Sequence, residues 1–350
     1  MDHRARRRSR MRRKRRQRQR FIAAVLICLV VLAGAGTAAG VFITGQFKNY
    51  TADYEAEYYN NSLYQGTMFS SDICVTAEEV SLEGFEPDPE VNSAGLFDLE
   101  QHEVLCGYNL FEKVYPASTT KVMTAYVALK YGNLDDVVTV SDHAVDFNWD
   151  EVTCGLRAGD TVTMYDLLCG LILHSGNDCG TAIAEHISGS EEAFADLMNQ
   201  EAAALGATGS HFVNPHGLHD DNHYTTAYDL YLIFNACIQD ERFVEIISMD
   251  SYTGTLNGAD GTVRTETWKP TNLYNSGRHD MPQGIRVLGG KTGTTKLAGN
   301  CLIIYDENME QHPYISVIMG APNRDTLYAQ MDLMMTQGIT GDQTDQASTE

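Results

Sequence analysis

A run of 25 residues without a charged side chain, Phe21 to Gly45, divides this chain into two parts of opposite charge. Residues 1–20 hold 12 of the 25 Lys+Arg and one of the 47 Asp+Glu, which leaves 13 basic and 46 acidic groups, a formal −33, for everything after them. About 20 apolar residues span the hydrocarbon core of a bilayer as a helix. Arginines flanking one end keep that end in the cytoplasm. The run therefore predicts a single-pass anchor over 21–45, a basic cytoplasmic tail over 1–20 and a body outside the cytoplasm. A cleaved signal peptide, with the body secreted, is the competing reading, because Ala33-Gly34-Ala35 and Gly36-Thr37-Ala38 resemble small-residue cleavage sites. The apolar core of such a peptide is normally about 7–15 residues, and the retained anchor is preferred.

The acidity of the body excludes a nucleic-acid partner, since phosphate contacts need a basic surface. Of eight cysteines, Cys28 falls in the apolar run and seven follow it, without the paired close spacing of zinc sites. Several sit in apolar helix or strand patterns, where buried free thiols are expected, and no disulfide connectivity is assigned. Residues 46–90 are polar and acidic and read as a stalk and linker, with Pro87 and Pro89 near its end and the folded domain starting near Val91.

The body has a distinctive order of elements. Ser93–Leu99 and Glu103–Tyr108 form a hairpin pattern. Residues 116–250 are mainly helical, with helices from Ser118, over Met164–His174, Asp178–Ile187 and Ser190–Leu205, and one or two within Thr225–Ile247. Ile285–Thr295, Asn300–Asp306 and Tyr314–Gly320 read as strands, and Thr326–Gln337 as a closing helix. The N-terminal hairpin can complete one antiparallel sheet with the C-terminal strands, leaving the helical block as a second lobe: a two-lobed α+β fold over 91–340 with a polar tail over 341–350. A groove between sheet and block is where a site is expected.

Three polar motifs fall at the edges of these elements. Ser118-Thr119-Thr120-Lys121 opens a helix, and residues three apart share a helix face. A neutral lysine there can take the proton of the serine hydroxyl. Ser175-Gly176-Asn177 interrupts two apolar helices, and Lys291-Thr292-Gly293-Thr294 lies at the end of a strand whose glycines permit close approach of a substrate backbone. Each motif alone is weak, but together and in this order they form the set found in penicillin-binding proteins and class A β-lactamases. His216, His219 and His223 suggest a metal site at first sight, but they lie in a Gly-bearing loop without helical ligand spacing, so no metal is expected.

The chain from about Ser93 to Gly338 resembles the low-molecular-mass penicillin-binding proteins, the serine-type D-Ala-D-Ala carboxypeptidases of peptidase family S11. The resemblance rests on Tyr115–Lys121, on Asp166-Leu167-Leu168 with Ser175–Asp178, on Phe212–Leu218, and on Gly290–Thr295 with Ala298-Gly299. It implies a penicilloyl-serine-transferase (β-lactamase/transpeptidase-like) fold with no metal or cofactor. It also implies a peptidoglycan stem peptide ending in D-Ala-D-Ala as substrate, and β-lactams as covalent inhibitors. Carried over residue by residue, it makes Ser118 the nucleophile, Lys121 the base and Ser175 a proton relay. Asn177 would bind the substrate peptide, Lys291 and Thr292 its carboxylate, and the N–H groups of Ser118 and Thr294 beside Gly293 would form an oxyanion hole. Lys121 needs a lowered pKa, which desolvation and the charge of Lys291 would both produce. Arg286, Lys291 and Lys296 would together focus positive charge on the site. The second, β-rich domain and terminal amphipathic helix of the family have no counterpart after Gly338, so anchoring is expected of residues 21–45. The family's additional carboxylate-binding arginine has Arg324 as its one candidate. Two rival functions are a β-lactamase, for which no Glu-x-x-Leu-Asn segment lies between the second and third motifs, and a non-catalytic penicillin-binding sensor.

Overall fold

The computed structural model describes residues 12–26 and 72–340. The chain divides into two compact units, residues 1–68 and 69–350. In the first, residues 12–26 are helical, covering the end of the basic tail and the start of the apolar run. No helix among the described residues is long and apolar enough to cross a membrane. Most of the expected anchor, most of the stalk and the tail over 341–350 lie outside the described residues.

The second unit is built on a five-stranded antiparallel sheet of order β2-β1-β9-β8-β7. Its strands are β1 (Ser93–Asp98), β2 (Glu103–Tyr108), β7 (Ile285–Thr295), β8 (Gly299–Asn308) and β9 (Pro313–Ala321). The N-terminal hairpin joins the C-terminal strands through β1 against β9, from Ser93↔Met319 to Asp98↔Tyr314, as the order of elements predicts. Near-continuous apolar runs in β8 and β9 are buried on both faces. One face meets the closing helix (Arg324–Met335) through Leu327, Tyr328, Met331 and Met335, and the other meets the helical lobe.

The helical lobe contains α1 (Lys121–Tyr131), α2 (Met164–Cys169), α3 (Asn177–Ser188), α4 (Glu191–Ala204), α5 (Ala227–Ile238) and α6 (Glu241–Ile247). Polar side chains start several of them. Thr163, Ser190 and Thr226 each accept the N–H three residues on, which satisfies one of the first-turn donors that a helix leaves unpaired. Helix α1 runs through the middle of the lobe, and eight of its eleven residues are buried, so its polar Lys121 and Thr124 must find partners inside.

Two expectations are corrected. The stretch 116–250, read as mainly helical, also supplies β3 (Val137–Thr139) and β4 (Thr161–Thr163) to a second, four-stranded sheet with β5 (Tyr252–Asn257) and β6 (Val263–Trp268). Three-residue strands carry too little alternation to register as a pattern. The folded unit also starts before Val91. Cys74 is buried, its N–H donates to Tyr231 Oη at 2.7 Å, Val80 bridges to Gly107 of β2, and Phe85 enters the core beneath the closing helix. Pro87 and Pro89 sit in an extended segment that packs on the domain; reading them as a linker missed the apolar residues between the acidic ones.

Candidate active site

The chain turns into α1 through one 3-10 turn, Ala117–Thr120, so Ser118 lies in the turn and Lys121 opens the helix proper. Ala117 has φ of +49°, a strained value for a residue with a Cβ. The strain is held from three sides. Thr119 Oγ1 donates to Pro116 O at 2.7 Å, Thr120 Oγ1 donates to Ala117 O at 2.8 Å, and the Phe212–Leu218 loop presses on the turn from outside. A Cβ on Gly217, whose own φ is +84°, would come within 1.9 Å of Ala117 O, so only glycine fits. His223 braces the same turn. Its Nδ1 accepts the Val213 N–H, which leaves Nε2–H to donate to Thr120 Oγ1 at 2.8 Å, and burial pushes its pKa down to about 3. The loop histidines therefore pack and brace.

Lys121 is fully buried, and its Nζ reaches Ser118 Oγ at 3.1 Å, Asn177 Oδ1 at 2.8 Å and the His216 carbonyl at 2.6 Å. Burial lowers its pKa from 10.5 to about 7, against the opposing pull of Cys154, Asp178 and Cys179. Lys291 is also fully buried; its Nζ donates to Ser175 Oγ at 3.0 Å and to Thr292 O at 2.8 Å. Burial, and then the charge of Lys121, hold it well below the ordinary lysine range. Burial is the first cause of the lowering at both lysines, and their like charges disfavour each other, as a Coulomb repulsion acts on both partners.

The second motif is aimed by local backbone irregularity. Helix α2 continues into a π-helical turn, Gly170–His174, and Ser175 follows with φ of +69° before α3 begins at Asn177. Wide turns and left-handed residues of this kind concentrate where a side chain must be re-aimed. Behind the motif runs a strap, residues 152–156. Val152 O accepts the Asn177 N–H at 2.8 Å, while the Asp178 carboxylate accepts N–H groups from Cys154 at 2.8 Å, Leu156 at 3.2 Å and Cys179 at 2.9 Å.

The third motif lies on β7, the edge strand of the sheet. A Cβ on Gly293 would come within 2.7 Å of Pro116 O and 3.0 Å of the Ser118 N, so the strand passes flush against the Ser118 turn. Thr292 Oγ1 shares a hydrogen bond with Thr271 Oγ1 at 2.6 Å, and Thr294 is exposed at the strand's end. All eight residues singled out from the sequence thus belong to one hydrogen-bonded and packed assembly. Of the three basic residues expected to focus charge here, only Lys291 joins it: Arg286 pairs with Glu307 across the β7–β8 ladder at 2.5 Å, and Lys296 is exposed past the motif. Arg324 is exposed at the start of the closing helix.

Sequence reasoning missed the strap, the His216 carbonyl and Thr271. Backbone acceptors leave no residue-type signal, and nothing near Cys154 resembles a motif. Among the described residues, one group could hold a cation, Cys154, Asp178 and Cys179, with ligand atoms within 4.8 Å of one another. Backbone N–H donors point at its carboxylate oxygens and would repel a cation, and burial pushes both thiols toward the neutral form. All seven cysteines of the described residues are buried free thiols.

A hydroxyl 3.1 Å from a buried, readily neutral amine, with a second serine from the same lobe bonded to a lysine from the sheet, defines a class: two-lobed serine enzymes whose nucleophile is served by a lysine rather than a histidine. The chain belongs to the D-alanyl-D-alanine carboxypeptidase family, whose model matches residues 82–323. It is 34% identical over 251 residues to the D-alanyl-D-alanine carboxypeptidase DacF of Bacillus subtilis (strain 168), covering 70% of this chain and 61% of that one. It is 31% identical over 290 residues to DacC of Escherichia coli (strain K12), covering 79% and 66%. The chain thus spans about three fifths of the length of the curated relatives it matches. The fold is similar to that of the Streptomyces K15 DD-transpeptidase, at a TM-score of 0.66 and 26% identity over 72% of this chain and 98% of that one.

Proposed function

We propose that this protein is a serine D-Ala-D-Ala carboxypeptidase that removes the terminal D-Ala from peptidoglycan stem peptides through an acyl-enzyme on Ser118. One observation carries the reading. Lys121 Nζ lies within 3.1 Å of Ser118 Oγ in a fully buried setting that brings its pKa to about 7. The neutral amine is then abundant at physiological pH, as a general base requires.

The chemistry follows from the positions. Lys121 takes the hydroxyl proton as Ser118 Oγ attacks the carbonyl between the last two residues of the peptide. The N–H groups of Ser118 and Thr294 receive the developing oxyanion, a contribution of about 3–4 kcal/mol per donor in such sites. Ser175, hydrogen-bonded to Lys291, gives its hydroxyl proton to the departing D-Ala amine and takes in exchange the proton held by Lys121, which returns Lys121 to its neutral form for the attack of water. The peptide backbone lies along the open edge of β7, with Asn177 on its other side. Lys291 and Thr292 take the terminal carboxylate. That carboxylate supplies a countercharge beside Lys291 and favours its ammonium form, which burial disfavours. Water then hydrolyses the ester. A penicillin presents a strained amide and a carboxylate to the same groups and stops at the acyl-enzyme.

We also propose that residues 21–45 anchor the protein in the cell membrane, with residues 1–20 in the cytoplasm and the enzyme outside. The apolar run and the basic tail before it support this. Fractionation of cells producing the full chain tests it: release of a shortened protein into the medium would replace the anchor with a cleaved signal.

The activity is tested on full-length protein in detergent, with a labelled penicillin and with a pentapeptide ending in D-Ala-D-Ala, both followed by mass spectrometry. Label on Ser118 together with free D-Ala supports the carboxypeptidase. Rapid penicillin turnover without peptide cleavage would mean a β-lactamase, and label without any turnover a sensor. Transfer of the acyl group to an added amine in preference to water would mean a transpeptidase, as in the Streptomyces K15 protein.

A further inference from the structure

The segment 146–152 begins and ends on the site without contributing a catalytic group. Phe147 packs edge-on against His216, whose carbonyl holds Lys121, with ring centroids 5.5 Å apart. Val152 O accepts the N–H of Asn177, the other anchor of Lys121. Between these fixed points the chain makes a closed turn. The Glu151 N–H donates to Asn148 O at 3.0 Å, and the Asn148 N–H donates to Glu151 Oε2 at 2.6 Å. At the tip of that turn stands Trp149, 97% exposed. Chain reach keeps its Cα within about 7 Å of that of Phe147 and about 11 Å of that of Val152, the two residues that touch the anchors of Lys121.

An indole left almost wholly in water on a turn cross-braced at both ends is unusual. Large aromatics are normally buried for most of their area. The surroundings narrow what it can receive. Asp142, Asp146 and Asp150 are exposed nearby, which disfavours an anionic lipid surface. Carboxylates and the Asn148 amide beside an apolar indole face instead suit a neutral polyol, whose ring C–H groups lie on the indole while its hydroxyls donate to the acids. The turn is preorganised, so little ordering entropy is lost on contact. We propose that Trp149 is a stacking platform for a sugar ring of the glycan strand that carries the stem peptide. This rests on the carboxypeptidase reading for its substrate, and it makes the enzyme prefer peptides still attached to glycan.

The chain has two tryptophans, and Trp268 is only 2% exposed, so quencher-accessible fluorescence reports on Trp149. Full-length protein in detergent is titrated with a soluble N-acetylglucosamine oligosaccharide, and the quenching of emission by acrylamide is measured. The expected result is a severalfold drop in quenching at saturating sugar, absent in Trp149→Ala. In parallel, the ratio of kcat/KM on glycan-linked peptide to kcat/KM on the free peptide should fall about two- to tenfold in Trp149→Ala, the worth of one aromatic contact. Trp149→Phe, which keeps a ring face, should recover most of it. An unshielded Trp149 at saturating sugar, or a ratio unmoved by Trp149→Ala, overturns the proposal. So does shielding by free peptide or by anionic vesicles in place of sugar. Should the wild type cleave neither substrate, the carboxypeptidase reading fails, while the quenching experiment still decides the sugar site.

Discussion

Replacing Asn177 with aspartate would put a carboxylate where an amide oxygen now sits, 2.8 Å from Lys121 Nζ, with almost no change of volume. A carboxylate at that distance favours the ammonium and raises a lysine pKa by about 1–3 units. Starting from about 7, a rise of about two units is expected. At about pH 7.5 the neutral fraction of Lys121 would fall from roughly three quarters to about 3%, a loss of about 25-fold in acylation rate. Activity should return as the pH is raised toward 10, because the base is still present and only its proton is held more tightly. The assay is the second-order rate of penicillin labelling at Ser118, which does not depend on deacylation, measured across the pH range at fixed ionic strength. Asn177 is also proposed to touch the substrate, and losing that contact lowers the rate at every pH alike. The position of the alkaline-rising limb therefore reports on Lys121 alone. A wild-type limb near the ordinary lysine value, or an Asn177→Asp limb that stays near 7, would refute Lys121 as the base.

Other perturbations test the remaining supports. Asp178→Asn removes one of the charges that raise the Lys121 pKa, so its limb should move to lower pH, opposite to Asn177→Asp. The amide cannot accept all of the strap's N–H groups, so a stability loss of about 1–3 kcal/mol should appear in urea denaturation. Lys291→Ala should weaken acylation by carboxylate-bearing substrates about 10- to 100-fold, the worth of one charge-assisted bond. Its limb should move by less than a unit, toward higher pH, because burial is the larger cause of the Lys121 value; a displacement of more than a unit would make Lys291 the controlling charge. Gly217→Ala should cost about 2–4 kcal/mol and slow labelling, since the new methyl meets Ala117 O at 1.9 Å beside the nucleophile. Gly189→Ala, at the same φ of +84° but with open space around it, is the control: about 1–2 kcal/mol of strain and unchanged labelling.

Much of this protein is legible one residue at a time. Long apolar runs bounded by turn residues predicted β7, β8 and β9, and Ser190 with two glutamates after it predicted the start of α4, because local propensity and burial agree there. The eight site residues could be named for the same reason: Ser118 with Lys121, Ser175 with Asn177, and Lys291 to Thr294 are side chains with distinctive chemistry at fixed spacing. The three-residue strands of the second sheet were out of reach, being held by pairing with each other across the loop between them and, at Thr161, with Asn257 of β5, rather than by their own pattern. The apolar run from Phe21 to Gly45 still determines the expectation of an anchored, exported enzyme by composition alone. What only tertiary structure decided is why the lysine can work. Burial by α3, the Phe212–Leu218 loop and the strap removes water from around Lys121 and leaves it two neutral acceptors and the serine. The proton affinity of an amine is set by what surrounds it in space, and no spacing along the chain records that.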